Sequence, residues 1–191
     1  MHQGPLPPSN RALAVQNWLS EKIEGQTRFA LVQPKDANFI LSLRNDPKLN
    51  TFLSPTDQAL SKQKSWIKEY IIRQNSGMEF YFIISHQNSN VGTVRLYDFK
   101  DNSFCWGSWL IRPGTNARVA LKSTALVYEL GFNILLFGNA HFDVRKENQS
   151  VNKFHRRLGA KQVDEDPLNY YYNITNQDLT LNALVITTKG Q

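Results

Sequence analysis

His141 and Asp143 stand two apart in a short β-rich run, so a strand would put an imidazole and a carboxylate on one face, a pairing suited to moving a proton. Asp98, at the end of an earlier β-rich run, is another carboxylate able to act as a general base. His155 sits in Lys153-Phe-His-Arg-Arg157. An imidazole with an unperturbed pKa of about 6.5 exchanges protons near neutrality, while the flanking cations favour its neutral form and, on the residues alone, a surface position. Arg44, Asn45 and Arg95 are of the types that hold phosphate or sugar oxygens, and Trp106 offers a stacking face. Each also has an ordinary structural role: a loop salt bridge for Arg44, a capping amide for Asn45, a sheet-face ion pair for Arg95 and a core position for Trp106. Taken together they point to an anionic, polar small molecule.

The elements that must position these groups are legible in the periodicity. Gly4 to Asn10 carries three prolines and reads as a non-helical arm; Leu13, Val15, Trp18, Leu19 and Ile23 then recur at helical intervals until Gly25. Thr27 to Gln33 reads as a strand, and Asp36 as the N-cap of a helix bearing Phe39, Ile40 and Leu43. Asp57 to Asn75 forms a second helix with Trp66, Ile67, Tyr70 and Ile71 on its apolar side. Strands follow at Phe80–Ser85, Val91–Phe99 and Phe104–Ile111, joined by short polar turns into an antiparallel meander. Ala117 to Leu136 is a long helix with Leu121, Ala125, Tyr128, Phe132 and Leu135 inward. Ala140–Val144 is a strand, Ser150–Leu158 a helix, Asn169–Thr175 a strand, and Leu181–Thr187 a further candidate strand. The order specifies a mixed α/β (α+β) class.

Composition agrees with one sizeable core. Of 191 residues, 41% are hydrophobic and 12% aromatic, which excludes wholesale disorder. No apolar stretch approaches the roughly 18 residues of a membrane span. Cys105 is the single cysteine, so no intramolecular disulfide forms and a cysteine-based metal site lacks ligands; no metal is expected. The opening MHQGPLPPSN has no basic segment followed by an apolar run, and a cytoplasmic location is expected.

The element order from Thr27 to Thr175 resembles the GNAT acyl-CoA N-acyltransferase superfamily, most sharply at Phe142-Asp-Val-Arg-Lys-Glu-Asn148, Val151, Phe154 and Arg157-Leu-Gly159-Ala160, where Ala160 replaces the usual Phe. Leu43-Arg44-Asn45-Asp46-Pro47 and Val91-Gly92-Thr93-Val94 resemble the branch that acetylates ribosomal-protein N-termini and nucleotide-linked amino sugars. Phe104-Cys-Trp-Gly-Ser-Trp109 is similar to the amino-sugar enzymes of surface-polysaccharide synthesis.

The resemblance implies a mostly antiparallel central sheet flanked by helices, with an opening between the fourth and fifth strands. It also implies an arm and short helix over residues 1–25 followed by one acyltransferase domain over 26–191. Acetyl-CoA is the implied co-substrate. Trp109, Leu110 and Ile111 would offer backbone groups to its pantetheine, and Asn148, Asn152 and Phe154 would line its channel. Its pyrophosphate would rest at Asn116, Ala117, Arg118, Ala120 and Lys122, although Arg118 and Ala120 occupy the family's glycine positions. His155 falls where relatives carry the tyrosine that protonates the coenzyme A thiolate. The strand that commonly carries a basic carboxylate has none, leaving Asp98, or His141 and Asp143, as substitutes. Arg44, Asn45, Arg95, Trp106 and Ser108 would meet the acceptor.

The leading expectation is thus an acetyl-CoA-dependent N-acetyltransferase acting on a nucleotide-linked amino sugar. A protein N-terminus is the alternative acceptor, favoured by an acidic cleft. A nucleic-acid-binding module, suggested by the net charge of +6 and the 153–157 cluster, ranks last because the charge is dispersed and no recognition motif is present, and a non-enzymatic protein that binds acyl-CoA stands between these and the enzymes. A homodimer is left open.

Overall fold

The computed structural model describes residues 4–22, 26–53 and 59–180, so the expected strand at 181–187 lies outside the described residues, as do Ile23, Gly25 and Asp57. The chain opens with α1 (Pro8–Glu21), starting inside the segment read as non-helical. Pro8 is compatible with a helix there because a first-turn residue needs no N–H partner and its ring already holds a helical φ. The Leu6 N–H donates to the Leu135 carbonyl at 3.0 Å, tying this segment to the body. The inward residues of α1 are Arg11, Val15 and Trp18, while Leu13, expected inward, is 62% exposed. Arg11 breaks an apolar count yet is buried, its guanidinium stacked 5.1 Å from both Phe99 and Phe137.

Next come β1 (Thr27–Leu31), a 3₁₀ turn at Pro34–Asp36 and α2 (Ala37–Arg44). Asp36 caps the 3₁₀ turn rather than α2: its carboxylate accepts from the Gln33 N–H at 2.8 Å, and α2 has no side-chain cap bond. After α3 (Leu60–Asn75), β2 (Phe80–His86), β3 (Ser89–Lys100) and β4 (Ser103–Ile111) form the expected meander. Helix α4 (Ala117–Tyr128) continues as a π-helical turn over Glu129–Ile134, where a single regular helix was expected. Gly131 in that turn lies against the Phe104 ring, a contact any β-carbon would obstruct. Strand β5 (Asn139–Arg145), helix α5 (Gln149–Arg157), β6 (Lys161–Glu165) and β7 (Asn169–Thr175) complete the described fold. Strand β6 escaped sequence reading because every residue in it is exposed, so no alternation marks it.

The sheet order is β1-β2-β3-β4-β5-β7-β6, and every neighbouring pair is antiparallel except β4 and β5. Strand β2 is buried on both faces. Phe80, Phe82 and Ile84 join the larger core beneath α1 and α4, and Tyr81 and Ile83 join a smaller one with Ile40, Ile67 and Tyr70 of α2 and α3. The parallel pair is short: Ser103, Phe104 and Cys105 pair with Asn139, Ala140 and His141, and the pairing goes no further. Strand β5 instead stays paired with β7 along its whole length, so it is drawn away from β4. This is the expected opening between the fourth and fifth strands. No described helix is long and apolar enough to cross a membrane.

Candidate active site

The parting of β4 and β5 forms a cleft of about 630 Å³. One wall is β4 from Trp106 to Leu110. Gly107 pairs with Arg95 and Leu110 with Thr93, so Ser108 and Trp109 together oppose Val94 alone. This is a β-bulge, with Ser108 at φ 47° and its carbonyl accepting from the Thr93 hydroxyl at 2.9 Å. A bulge leaves an extra residue outside the ladder. With β5 gone from the other side, the backbone groups of this stretch that point toward β5 have no strand partner, an arrangement that fits an extended amide-bearing ligand and a developing oxyanion.

The other wall comes from β5, the start of α5 and the segment after α2. Alternation in β5 turns Phe142 and Val144 toward the aromatic core and His141, Asp143 and Arg145 toward the opposite face. Arg44, Lys48, Leu49, Phe52 and Leu53 close the cleft on that face, beside Tyr97 of β3. Lys48, Phe52 and Tyr97 carried no motif to reveal them, and Arg145, inside the Phe142–Asn148 motif, was not singled out as a site residue; the loop after α2 reaches the cleft only through the fold.

The expected site residues separate into groups. Trp106, Ser108, Trp109, Leu110, Asn148 and Arg44 line the cleft. Asn45 does not; it ends α2, its N–H donating to the Leu41 carbonyl at 2.9 Å. Asn152 is buried and braces the fold, its amide donating to the carbonyls of Arg145 and Asn148 at 2.8 and 2.9 Å while accepting from the Tyr172 hydroxyl at 2.8 Å. Phe154 packs on Trp109 with ring centroids 5.3 Å apart and supports the wall from behind. Ile111 pairs with Gly92.

Asn116 caps α4, its side-chain oxygen accepting from the Arg118 N–H at 2.9 Å, so one donor of that turn is already used. Ala117, Arg118 and Lys122 are at the helix surface or close to it; the Ala120 carbonyl accepts from Ser123 and Thr124. None of these five residues lines the described cleft.

Arg95 is withdrawn from the cleft. Its guanidinium donates to Glu79, which Arg73 also holds, and it stacks 4.7 Å over Tyr97 and 5.4 Å over Trp66. The sheet-face ion pair is therefore its role here. Asp98 is likewise engaged elsewhere. It pairs with Lys100 at 2.8 Å and with His141 Nε2 at 3.2 Å, while His141 Nδ1 meets the Ser103 hydroxyl at 2.7 Å. Lys100 first, and His141 after it, hold the Asp98 carboxyl below its usual range. A carboxylate so paired, and outside the cleft, is a poor base; Asp143 is the one that lines it.

His155 and Trp106 are both 4% exposed, so neither is a surface group. The imidazole packs among Phe142, Trp106 and Phe154 at 4.3, 5.2 and 5.5 Å. Burial pushes its pKa down to about 3, so at neutral pH it is an uncharged ring without an imidazolium proton to donate. The acid role expected from its position does not follow from this setting. Trp106 has Trp109, Tyr128, Phe142 and His155 against it in edge geometry, which leaves it a wall of the cleft more than a stacking platform.

No curated protein sequence matches this chain. Among solved structures, apo FdhC, described as a nucleotide-linked sugar GNAT, is 42% identical with a TM-score of 0.76, covering 85% of this chain and 93% of that one. Mycobacterium smegmatis RimJ in complex with CoA-disulfide is 16% identical at a TM-score of 0.72, covering 85% and 89%. A SpeG spermidine N-acetyltransferase variant from Vibrio cholerae is 15% identical at 0.69, covering 84% and 99%. These last two speak for the fold alone. The chain also matches the acetyltransferase (GNAT) domain family over residues 27–161, and with the split, bulged sheet this establishes it as a GNAT N-acetyltransferase.

Proposed function

We propose that the enzyme transfers an acetyl group from acetyl-CoA to the amine of a nucleotide-linked sugar. The reading is carried by its 42% identity, over 85% of its length, to a protein described as a nucleotide-linked sugar GNAT. The charge of the cleft agrees: among the described residues Arg44, Lys48 and Arg145 line it against the carboxylate of Asp143. Three cations to one anion suit a diphosphate, which guanidinium groups bind through paired hydrogen bonds, and do not suit a polyamine. The described lining of the cleft is not the acidic one that would favour a peptide N-terminus. The cations sit on the face of Asp143 and the loop after α2, so the acceptor lies there, opposite the aromatic wall of Trp106 and His155.

Bound acetyl-CoA supplies the thioester carbonyl. The chain's own part begins with the β4 bulge, whose unpartnered backbone groups hold an extended pantetheine and stabilise the oxyanion as the amine adds. Arg118 and Lys122, beside the α4 N-terminus, offer charge to the pyrophosphate where glycines are missing. Asn148 shapes the cleft mouth, with Asn152 and Phe154 fixing α5 against β4. His155 keeps that wall dry. Dependence on acetyl-CoA fits a cytoplasmic enzyme.

A panel assay tests the acceptor: purified protein with acetyl-CoA and UDP- or dTDP-linked amino sugars, peptide N-termini and spermidine, followed by thiol release. Acetylation of at least one nucleotide-linked amino sugar is expected; turnover of peptides or spermidine alone would reject the reading.

A further inference from the structure

Among the described residues the cleft holds one carboxylate, Asp143, and one phenol, Tyr97, and the fold places both on the same side of the sheet. Tyr97 pairs with Cys105 and Cys105 with His141, so these side chains share a face; Asp143, two residues on from His141, shares it too. A β-carbon on Gly107 would come within 3.0 Å of the Tyr97 hydroxyl, so that hydroxyl rests against the backbone immediately before the Ser108–Trp109 bulge. A thioester carbonyl bound at that bulge, as proposed above, would have the phenol beside it. Arg95, fixed by Glu79, stacks on the Tyr97 ring and sets its direction.

We infer that Asp143 and Tyr97 are the proton-transfer pair of this enzyme, Asp143 taking the proton of the attacking amine and the Tyr97 hydroxyl giving one to the departing thiolate. An amine arrives as an ammonium ion. Asp143 removes its first proton and releases it to solvent, to which this exposed carboxylate has access. The neutral nitrogen forms the C–N bond, the C–S bond breaks, and the sulfur takes the hydroxyl proton of Tyr97. The nitrogen's second proton restores the phenol, so one amide, one thiol and one released proton balance the reaction. Burial, with Cys105 and Asp143 nearby, raises the Tyr97 pKa and keeps the phenol protonated between turnovers. His155 remains a neutral wall residue and needs no part in it.

The inference rests on acetyl transfer to an amine and not on which amine is used. Asp143→Asn and Tyr97→Phe are assayed with the fastest acceptor of the panel above and, without acceptor, as acetyl-CoA hydrolysis. Asp143→Asn should lower kcat by about 10²-fold or more, and Tyr97→Phe by at least about 10-fold, the scale of lost acid–base assistance. Thermal stabilisation by acetyl-CoA should persist in both, showing that the fold and donor binding survive. Asp98→Asn, outside the cleft, should keep the wild-type kcat. Wild-type turnover and hydrolysis by Asp143→Asn or Tyr97→Phe would overturn the assignment, as would loss of turnover in Asp98→Asn with both other variants active. If peptides are the acceptors and Asp143→Asn still fails, the sugar reading falls and this one stands.

Discussion

Glu79 and His155 are equally buried, each 4% exposed, and differ in their company. Glu79 receives two guanidinium groups, from Arg73 and Arg95, with Trp66 stacked against both arginines. His155 is surrounded by rings, and its Nδ1 has no partner among the described residues. Burial raises the cost of charge in both places, but only a partner decides whether the charge survives. Arg95 and His155 are the residues that sequence reasoning would most readily enlist in catalysis. One keeps its charge and uses it within the sheet face; the other gives its charge up.

The strongest test of the paired site is Glu79→Gln, which leaves two cations beside a buried amide. Breaking a buried pair costs about 3–5 kcal/mol, and because Arg73 and Arg95 have side chains 41% and 23% exposed, water recovers part of this, leaving roughly 2–3 kcal/mol. Urea unfolding measures it. A loss below about 0.5 kcal/mol would mean the ion pair is no more than surface decoration, and the contrast with His155 would dissolve.

The unpaired site makes a prediction in pH. Folded His155 resists protonation down to about 3, whereas the unfolded residue takes a proton near 6.5. The unfolded state therefore binds more protons between these values, so the contribution is whole above about 6.5 and is lost as pH falls toward 3. At pH 5 the loss is on the order of 2 kcal/mol. Denaturant unfolding of wild type and His155→Phe at pH 7 and pH 5 should show the variant losing less; identical pH dependence would place the ring in water.

Arg95→Gln sharpens the comparison from the cation's side. It should destabilise by about 1–2 kcal/mol, less than Glu79→Gln because Arg73 still serves the carboxylate. The acceptor KM should stay near the wild-type value while kcat falls modestly through the Tyr97 ring it supports. A large rise in KM would return Arg95 to the acceptor site. The smallest effect belongs to Asp98→Asn. Its partners Lys100 and His141 are solvent-accessible, so turnover and unfolding midpoint should match wild type; a severe loss of kcat would restore Asp98 as the base.

Local signals carried much of the fold. The short apolar, β-rich run Phe80–Ser85 and the polar turns around Ser89 and Asp101 marked the meander, and Asn148 to Gly159 marked α5 and its end. Failures came where a local rule met a tertiary partner. Arg11 is buried because Phe99 of β3 and Phe137 of the loop before β5, both distant in the chain, come to cover it, and Asp36 caps the turn before its helix, its carboxylate accepting from the Gln33 N–H. The π turn after α4 passes closely over Phe104 at Gly131, a contact no helical count contains.

Sequence by itself determined the mixed α/β class, the order of most elements, and the resemblance whose parted strands the structure bears out, since those depend on periodicity and turn chemistry within short windows of chain. Tertiary structure alone decided which candidates meet the cleft. Whether Arg95 faces a phosphate or Glu79, whether His155 is charged, and whether Asp98 or Asp143 stands in the opening depend on groups many residues away in the chain. Side-chain charge and reactivity are set by solvent access and neighbours within a few ångströms, and that proximity exists only once the chain is folded.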